Sequence, residues 1–190
     1  MFSSFVRIRG LAGVLPLAFS LAVVSGGSAF SLHGAESAPA FSKTVIDIGV
    51  VVTDLDKSAG FYTNVIGFRE VPGFELPPAM GGKIGLTDNR GVKIRVFELG
   101  EGDGATKIKL MAFPGSGAVK PERKFIHSTT GLNYLTLYVS DMTPPLQRLK
   151  SAGVKLLGES PVDLGGGTKL VTFQDPDGIF IELIGPAKTP

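Results

Sequence analysis

Apolar and polar positions run through this chain in two matching rounds. Val45 to Val52 is a β-rich run, and Thr53-Asp54-Leu55 follows it. Asp54 is a natural N-cap, so Asp56 to Ile66 reads as a helix closed by Gly67, with Phe68 to Val71 a short strand behind it. Leu132 to Val139 opens the second round, and Ser140-Asp141-Met142 repeats the cap position. Pro144 and Pro145 fall in the first helical turn, where a missing N–H costs little. Leu146 to Ala152 continues that helix, Gly153 closes it, and Val154 to Leu157 is the expected next strand. Each round then ends in a hairpin. Val92 to Leu99 and Thr106 to Phe113 flank Gly100-Glu101-Gly102-Asp103-Gly104 in the first. Thr168 to Phe173 and Ile179 to Ile184 flank Asp175-Pro176-Asp177-Gly178 in the second.

This repeat predicts an α+β fold of two paired β-α-β-β-β modules. One helix cannot cover the apolar face of such a sheet, so two modules joined edge to edge are expected to curl into one cup-shaped sheet. The concave face of that cup is the expected ligand site.

Ahead of the repeat the pattern changes. Arg7 and Arg9 precede an almost wholly apolar stretch from Leu11 to Val24, and the small residues Ser25-Gly26-Gly27-Ser28-Ala29 follow. That order is a secretory leader, and a run of 14 residues that contains Pro16 is short for a membrane span. The expected organisation is a signal peptide over residues 1–29, with cleavage up to 35 as an alternative, a linker over 30–42, and a domain over 43–186. Within it, module one covers 43–115, an inter-module linker 116–130, and module two 131–186. Export to the periplasm or beyond follows, with no stable membrane insertion after processing.

Composition narrows the chemistry. The chain has 190 residues, no cysteine and two histidines, His33 and His127, which excludes disulfides, thiol nucleophiles and a histidine-rich metal centre. From Ser31 onward 17 basic side chains face 17 acidic ones, so nucleic acid is not an expected partner. No Gly-x-Ser-x-Gly elbow is present, which argues against that type of hydrolase. Gly165-Gly166-Gly167 precedes a strand and reads as a turn, not as a phosphate loop.

Val50-Val51-Val52-Thr53-Asp54-Leu55-Asp56-Lys57-Ser58, Phe61-Tyr62, Gly67-Phe68 and Asp175-Pro176-Asp177-Gly178 before Ile181-Glu182-Leu183 together resemble the vicinal oxygen chelate superfamily. That superfamily includes glyoxalase I, extradiol dioxygenases and the bleomycin- and fosfomycin-resistance proteins. The resemblance implies the glyoxalase-like fold over about residues 43 to 186. It also implies a divalent metal on the cup floor, held by His, Glu or Gln from four strands. Carried over, those four positions fall on Asp47, Lys109, Tyr134 (with Asn133 beside it) and Glu182, and only Glu182 matches.

A protonated lysine has three donors and no lone pair, so Lys109 opposes a cation. No cofactor is therefore predicted, and a divalent metal on Asp47 and Glu182 is the disfavoured alternative. The expected floor is a carboxylate–ammonium–carboxylate cluster with Tyr134 adding a hydroxyl. Its sharp reading makes Lys109 the grip on an anionic or carbonyl oxygen, with Asp47 or Glu182 moving a proton. Its bland reading is a structural salt bridge filling a disused site. Phe74 to Leu86, with Phe74 and Met80, reads as a lid or short helix over the ligand, or else as a self-packed surface loop. Phe61 and Tyr62 read as core. His127 is a linker residue, and only if it reached the cup rim would Arg123 or Lys124 attract an anionic ligand.

The leading expectation is an exported small-molecule-binding protein without the usual metal quartet, with metal-free acid–base chemistry open to it. A metal-dependent lyase, isomerase or dioxygenase and a structural module with a filled cup are the alternatives. Pairing of the modules within one chain or between two copies is undecided at this level, so a homodimer stays open.

Overall fold

A computed structural model describes residues 41–187. The expected leader, most of the following linker and His33 lie outside the described residues. No described helix is long and apolar enough to cross a membrane.

The first module contains β1 (Asp47–Val51), α1 (Leu55–Gly60), β2 (Arg69–Leu76), α2 (Pro78–Lys83), β3 (Val92–Leu99) and β4 (Thr106–Met111). The second contains β5 (Tyr134–Tyr138), α3 (Thr143–Ser151), β6 (Val162–Gly165), β7 (Thr168–Gln174) and β8 (Phe180–Pro186). The sheet orders are β1-β4-β3-β2 and β5-β8-β7-β6, the same order twice. In each, the first strand lies parallel to the last and the others are antiparallel.

Asp54 caps α1 as expected, its carboxylate accepting the Lys57 N–H at 3.0 Å. The helix then widens into a π-helical stretch, Phe61–Ile66, which Gly67 closes at φ 105°. Asp141 is not the cap residue of α3; Met142 is, and the Asp141 carboxylate accepts the Thr143 N–H one step further out.

Two expected strands are corrected. The strand after Gly67 runs on to Leu76 because a bulge between Val71 and Phe74 absorbs Pro72 and Gly73. A Cβ at Gly73 would collide with the Ile94 carbonyl, so only glycine permits this approach. Val154 to Leu157 contributes a single bridge, Leu156 to Phe173, and the true edge strand β6 comes later. Gly165, Gly166 and Gly167 all have positive φ and turn β6 into β7.

The modules are not joined edge to edge. No strand of one sheet pairs with a strand of the other among the described residues. Instead, one apolar cluster takes residues from both sheets and both main helices: Val50 and Ile108, Phe173 and Ile181, Phe61, Tyr62 and Leu149. Arg148 of α3 reaches across with Nε and Nη2 donating to the Val65 and Ile66 carbonyls at 2.9 and 3.0 Å. Those carbonyls end the first module's helix, where a cation is favoured.

Candidate functional site

Strand alternation decides where the expected floor residues go. Val50, Ile108 and Leu110 are buried in the shared core, so Asp47, Gly49, Val51, Lys109 and Met111 face outward from the first sheet. Leu135, Ile181 and Leu183 are buried in the same core, so Tyr134, Thr136 and Glu182 face outward from the second. The four candidates therefore do not form one cluster within the chain. They form two half-floors on separate outer faces.

On the first face, Lys109 Nζ lies 2.8 Å from Asp47 Oδ2, in neighbouring parallel strands. That hydrogen bond holds the Asp47 carboxyl below its ordinary range against the opposing cost of desolvation, and the charges of Lys109, Lys107 and Lys43 add to the lowering. Val92, Ile94 and Val96 form an apolar patch beside the pair, with Val71, Leu76, Met111 and Phe113 packed on it. Val96 is opposite Lys109 in the ladder, and Ile94 is opposite Met111. Phe74 is opposite Ile94 and half-exposed, and Met80, also half-exposed, sits on the short helix α2 that follows.

On the second face, Thr136 Oγ1 donates to Glu182 Oε2 at 2.8 Å. Tyr134 is paired with Phe180 at the start of β5 and is 46% exposed, so its hydroxyl-bearing ring is accessible. Asn133, beside Tyr134, is bonded to the linker. Its side-chain amide donates to the Thr129 carbonyl at 2.8 Å and accepts the Thr129 hydroxyl at 2.9 Å. Both ends of that amide are engaged by the linker, so it ties the start of β5 to Thr129. His127 lies in a turn over Ile126–Ser128, its ring stacked on that of Phe125 at 5.6 Å.

Two carboxylates that turn chemistry alone did not single out are buried. Asp175 and Asp177 are 5% and 8% exposed in the Asp175-Pro176-Asp177-Gly178 turn. Asp177 accepts the Thr53 N–H at 3.1 Å, the Thr53 hydroxyl at 2.6 Å and the Ser58 hydroxyl at 3.2 Å. Asp175 accepts the Tyr62 hydroxyl at 3.0 Å and the N–H groups of Asp177 and Ile179. The turn is therefore a polar peg from module two into module one. The available signal was the spacing of two acids around one proline, which a backbone reading credits only to the turn.

Burial pushes the Asp175 carboxyl up, against lowering by its three donors, and the nearby Asp177 charge adds to the rise. Because the folded pKa is raised above the ordinary 3.8, this group's contribution is fully present below 3.8 and is lost as pH rises through the folded value. Asp175→Asn keeps an acceptor for both N–H groups, while the Tyr62 hydroxyl can turn to accept from the new amide. The stability of this variant relative to the native chain is expected to improve from about pH 4 to about pH 7. Urea unfolding across that range measures it; a flat or opposite difference would contradict the burial argument.

Among the described residues no group of three or more His, Cys, Asp or Glu side chains is placed to hold a metal ion.

The fold is that of a known class of proteins. The family model for the Glyoxalase/Bleomycin resistance protein/Dioxygenase superfamily matches residues 44–183, and the chain belongs to that superfamily. An uncharacterized Bacillus subtilis protein, YwkD, is 25% identical over 143 residues, spanning 74% of this chain and 95% of that relative. A glyoxalase family protein from Bacillus cereus superposes with a TM-score of 0.64 at 21% identity, covering 81% of this chain and all of that one. A glyoxalase I variant from Zea mays gives 0.54 at 22% identity, covering 77% of this chain but 46% of the maize one. These structural likenesses establish the fold.

Proposed function

We propose that this is an exported protein that binds a small anionic or carbonyl-bearing molecule in a cup completed by a second copy of the chain. The observation that carries the reading is the Asp47–Lys109 ion pair on an outward sheet face. An ammonium there supplies donors to an oxygen of a ligand, and its neighbour Asp47 keeps it positioned. Half-exposed Phe74 and Met80 supply the apolar surface that small-molecule sites use for affinity, over the buried underlayer of Val92, Ile94 and Val96.

The donor set does not suit the divalent metal typical of the superfamily. One of its four positions is an ammonium already bonded to a second of them, so two ligands would have to be released before a cation could sit there. Proton transfer falls to Glu182, whose Oε2 is fixed by Thr136 while its carboxylate remains part-exposed on the outer face. Asp47, held ionised by Lys109, is the positioning group.

Two copies supply what one chain separates. The half-floors of one chain face outward from different sheets, and each carries exposed apolar side chains: Val51 and Phe74 on one, Tyr134 and Tyr138 on the other. Placing the first sheet of one copy against the second sheet of its partner covers those side chains. It also brings Lys109 of one chain toward Glu182 of the other.

Mixing two inactive variants tests this. A panel of small carboxylic acids and aromatic antibiotics is screened by thermal shift to find a responding ligand. Lys109→Met and Glu182→Gln are each expected to abolish the response alone. Unfolded together and refolded as a mixture, they should recover it, because each mixed dimer keeps one site with both native residues. A mixture that stays silent, with a monomeric mass by light scattering, would refute the shared cup. Stoichiometric Ni, Zn, Fe or Mn in protein purified without chelator would return the molecule to the metal-using members of its class.

A further inference from the structure

The outward face of the first sheet carries more charge than the Asp47–Lys109 pair alone. Strand alternation puts Lys107 on the same face as Lys109, and the ladder sets it opposite Asp47 on β1 and Glu98 on β3. Glu98 is in turn opposite Arg69 on β2. Lys107 Nζ lies 3.1 Å from Glu98 Oε1, and Arg69 Nη2 donates to Glu98 Oε2 at 2.8 Å. One row of charges thus crosses all four strands, with Lys109 set against its Asp47 end. Arg69, Lys107 and Lys109 share only Glu98 and Asp47, so one positive charge in the row stays uncompensated.

The two lysines are neighbours with spare donors. Their side chains are 35% and 31% exposed, for Lys107 and Lys109 in turn, while that of Glu98 is 11% exposed. Each ammonium has three donors and meets one carboxylate, with no other acceptor among the described residues. Two steps of strand separate their Cα atoms by about 7 Å, and the flexible stems allow the ammoniums to converge. A carboxylate between them would accept one charge-assisted bond on each of its two oxygens. An amide or ketone has one carbonyl oxygen and no charge, so it would engage one lysine and leave the other unanswered.

On the reading that Lys109 grips the ligand, we infer that the ligand is an ionised carboxylic acid, bridged by Lys107 and Lys109. This narrows the ligand class from anionic or carbonyl-bearing molecules to acids. Glu98, held by Arg69 on its other oxygen, is the positioning residue for Lys107. Half-exposed Phe74 and Met80 offer apolar surface to the rest of the molecule, which suits an aromatic acid.

Isothermal titration calorimetry of the full chain at low ionic strength, with benzoate in one arm and benzamide in the other, tests the assignment. Benzoate is expected to bind saturably, and benzamide about tenfold more weakly or not at all, since the two differ in the acid group and hardly in shape. Lys107→Met should weaken benzoate about tenfold, and Glu98 keeps Arg69 as its partner in that variant. Glu98→Gln keeps an oxygen for Lys107 but removes a negative charge beside it, so benzoate should bind about threefold more tightly. Lys150→Met, which removes one positive charge from an exposed position on α3, should change neither arm. Lys109→Met should abolish binding in both. No benzoate binding by the native chain, equal affinity for the two probes, or native benzoate affinity in Lys107→Met would overturn the acid assignment and leave the site at Lys109 standing. Native benzoate affinity in Lys109→Met would remove that site itself.

Discussion

Replacing Phe173 by alanine is expected to lower the free energy of unfolding by about 3–5 kcal/mol, the range for emptying an aromatic site in a packed core. Phe173 is fully buried, and its ring lies 6.3 Å from that of Phe61 in an edge-on arrangement. Phe61 belongs to the first module and Phe173 to the second, so the cavity opens in the layer that both share. Val171 and Ile181, also fully buried, cannot close over it without drawing their strands inward. Urea denaturation followed by circular dichroism measures the loss. One transition is expected in both proteins, because a core built from both modules leaves neither with a separate one. Two resolved transitions, or a loss below about 1 kcal/mol, would show that the modules are energetically independent.

The second large effect is expected at Asp177. Asp177→Ala leaves the Thr53 N–H and the hydroxyls of Thr53 and Ser58 without their acceptor, at a site where Ser58 is fully buried. Hydrogen bonds to a charged acceptor are worth more than neutral ones, and stranded buried donors add their desolvation cost. A loss of about 3 kcal/mol is expected, allowing for rotation of the hydroxyls toward other acceptors. Asp177→Asn keeps the Oδ1 that receives both Thr53 bonds and should lose only about 1 kcal/mol. The contrast between these variants, measured under one set of denaturation conditions, separates the lost acceptor from the lost charge. Equal losses would mean that the charge, not the bonding, holds the peg.

Much of this architecture was legible as repetition. Asp54 and Gly67 bracket the first helix, and β-rich runs with turn residues between them fix the hairpins, because caps and turns are local chemistry. Non-local features were the ones that escaped. Val154 to Leu157 has the composition of a strand, yet Gly158 at φ 58° breaks the path after one bridge to Phe173. Strand β6 is exposed along its length, so no buried alternation marks it. Proline and glycine at 72 and 73 hid the continuation of β2, since a bulge converts two turn-forming residues into strand.

The candidate site shows the same division. Matching Asp47, Lys109, Tyr134 and Glu182 to strand positions put all four on one expected floor, whereas alternation within each strand turns them to two separate outward faces. Whether two sheets turn those faces toward one another is decided by Phe61, Tyr62, Arg148 and Asp177, which lie elsewhere in the chain. Arg123 was noticed for its charge, but the burial of its Nε and Nη1 is a tertiary fact with no local pattern.

Arg148 sets a limit on how this chain can lengthen. Its guanidinium meets two consecutive carbonyls, so one extra residue in the preceding helix would advance them by about 1.5 Å and rotate them out of reach. Insertions should therefore be rejected between Leu55 and Ile66, yet accepted in the exposed stretch Gly100–Gly104, where no side chain spans the modules. Tolerance to added residues is thus governed by which segments act as rulers between the two sheets.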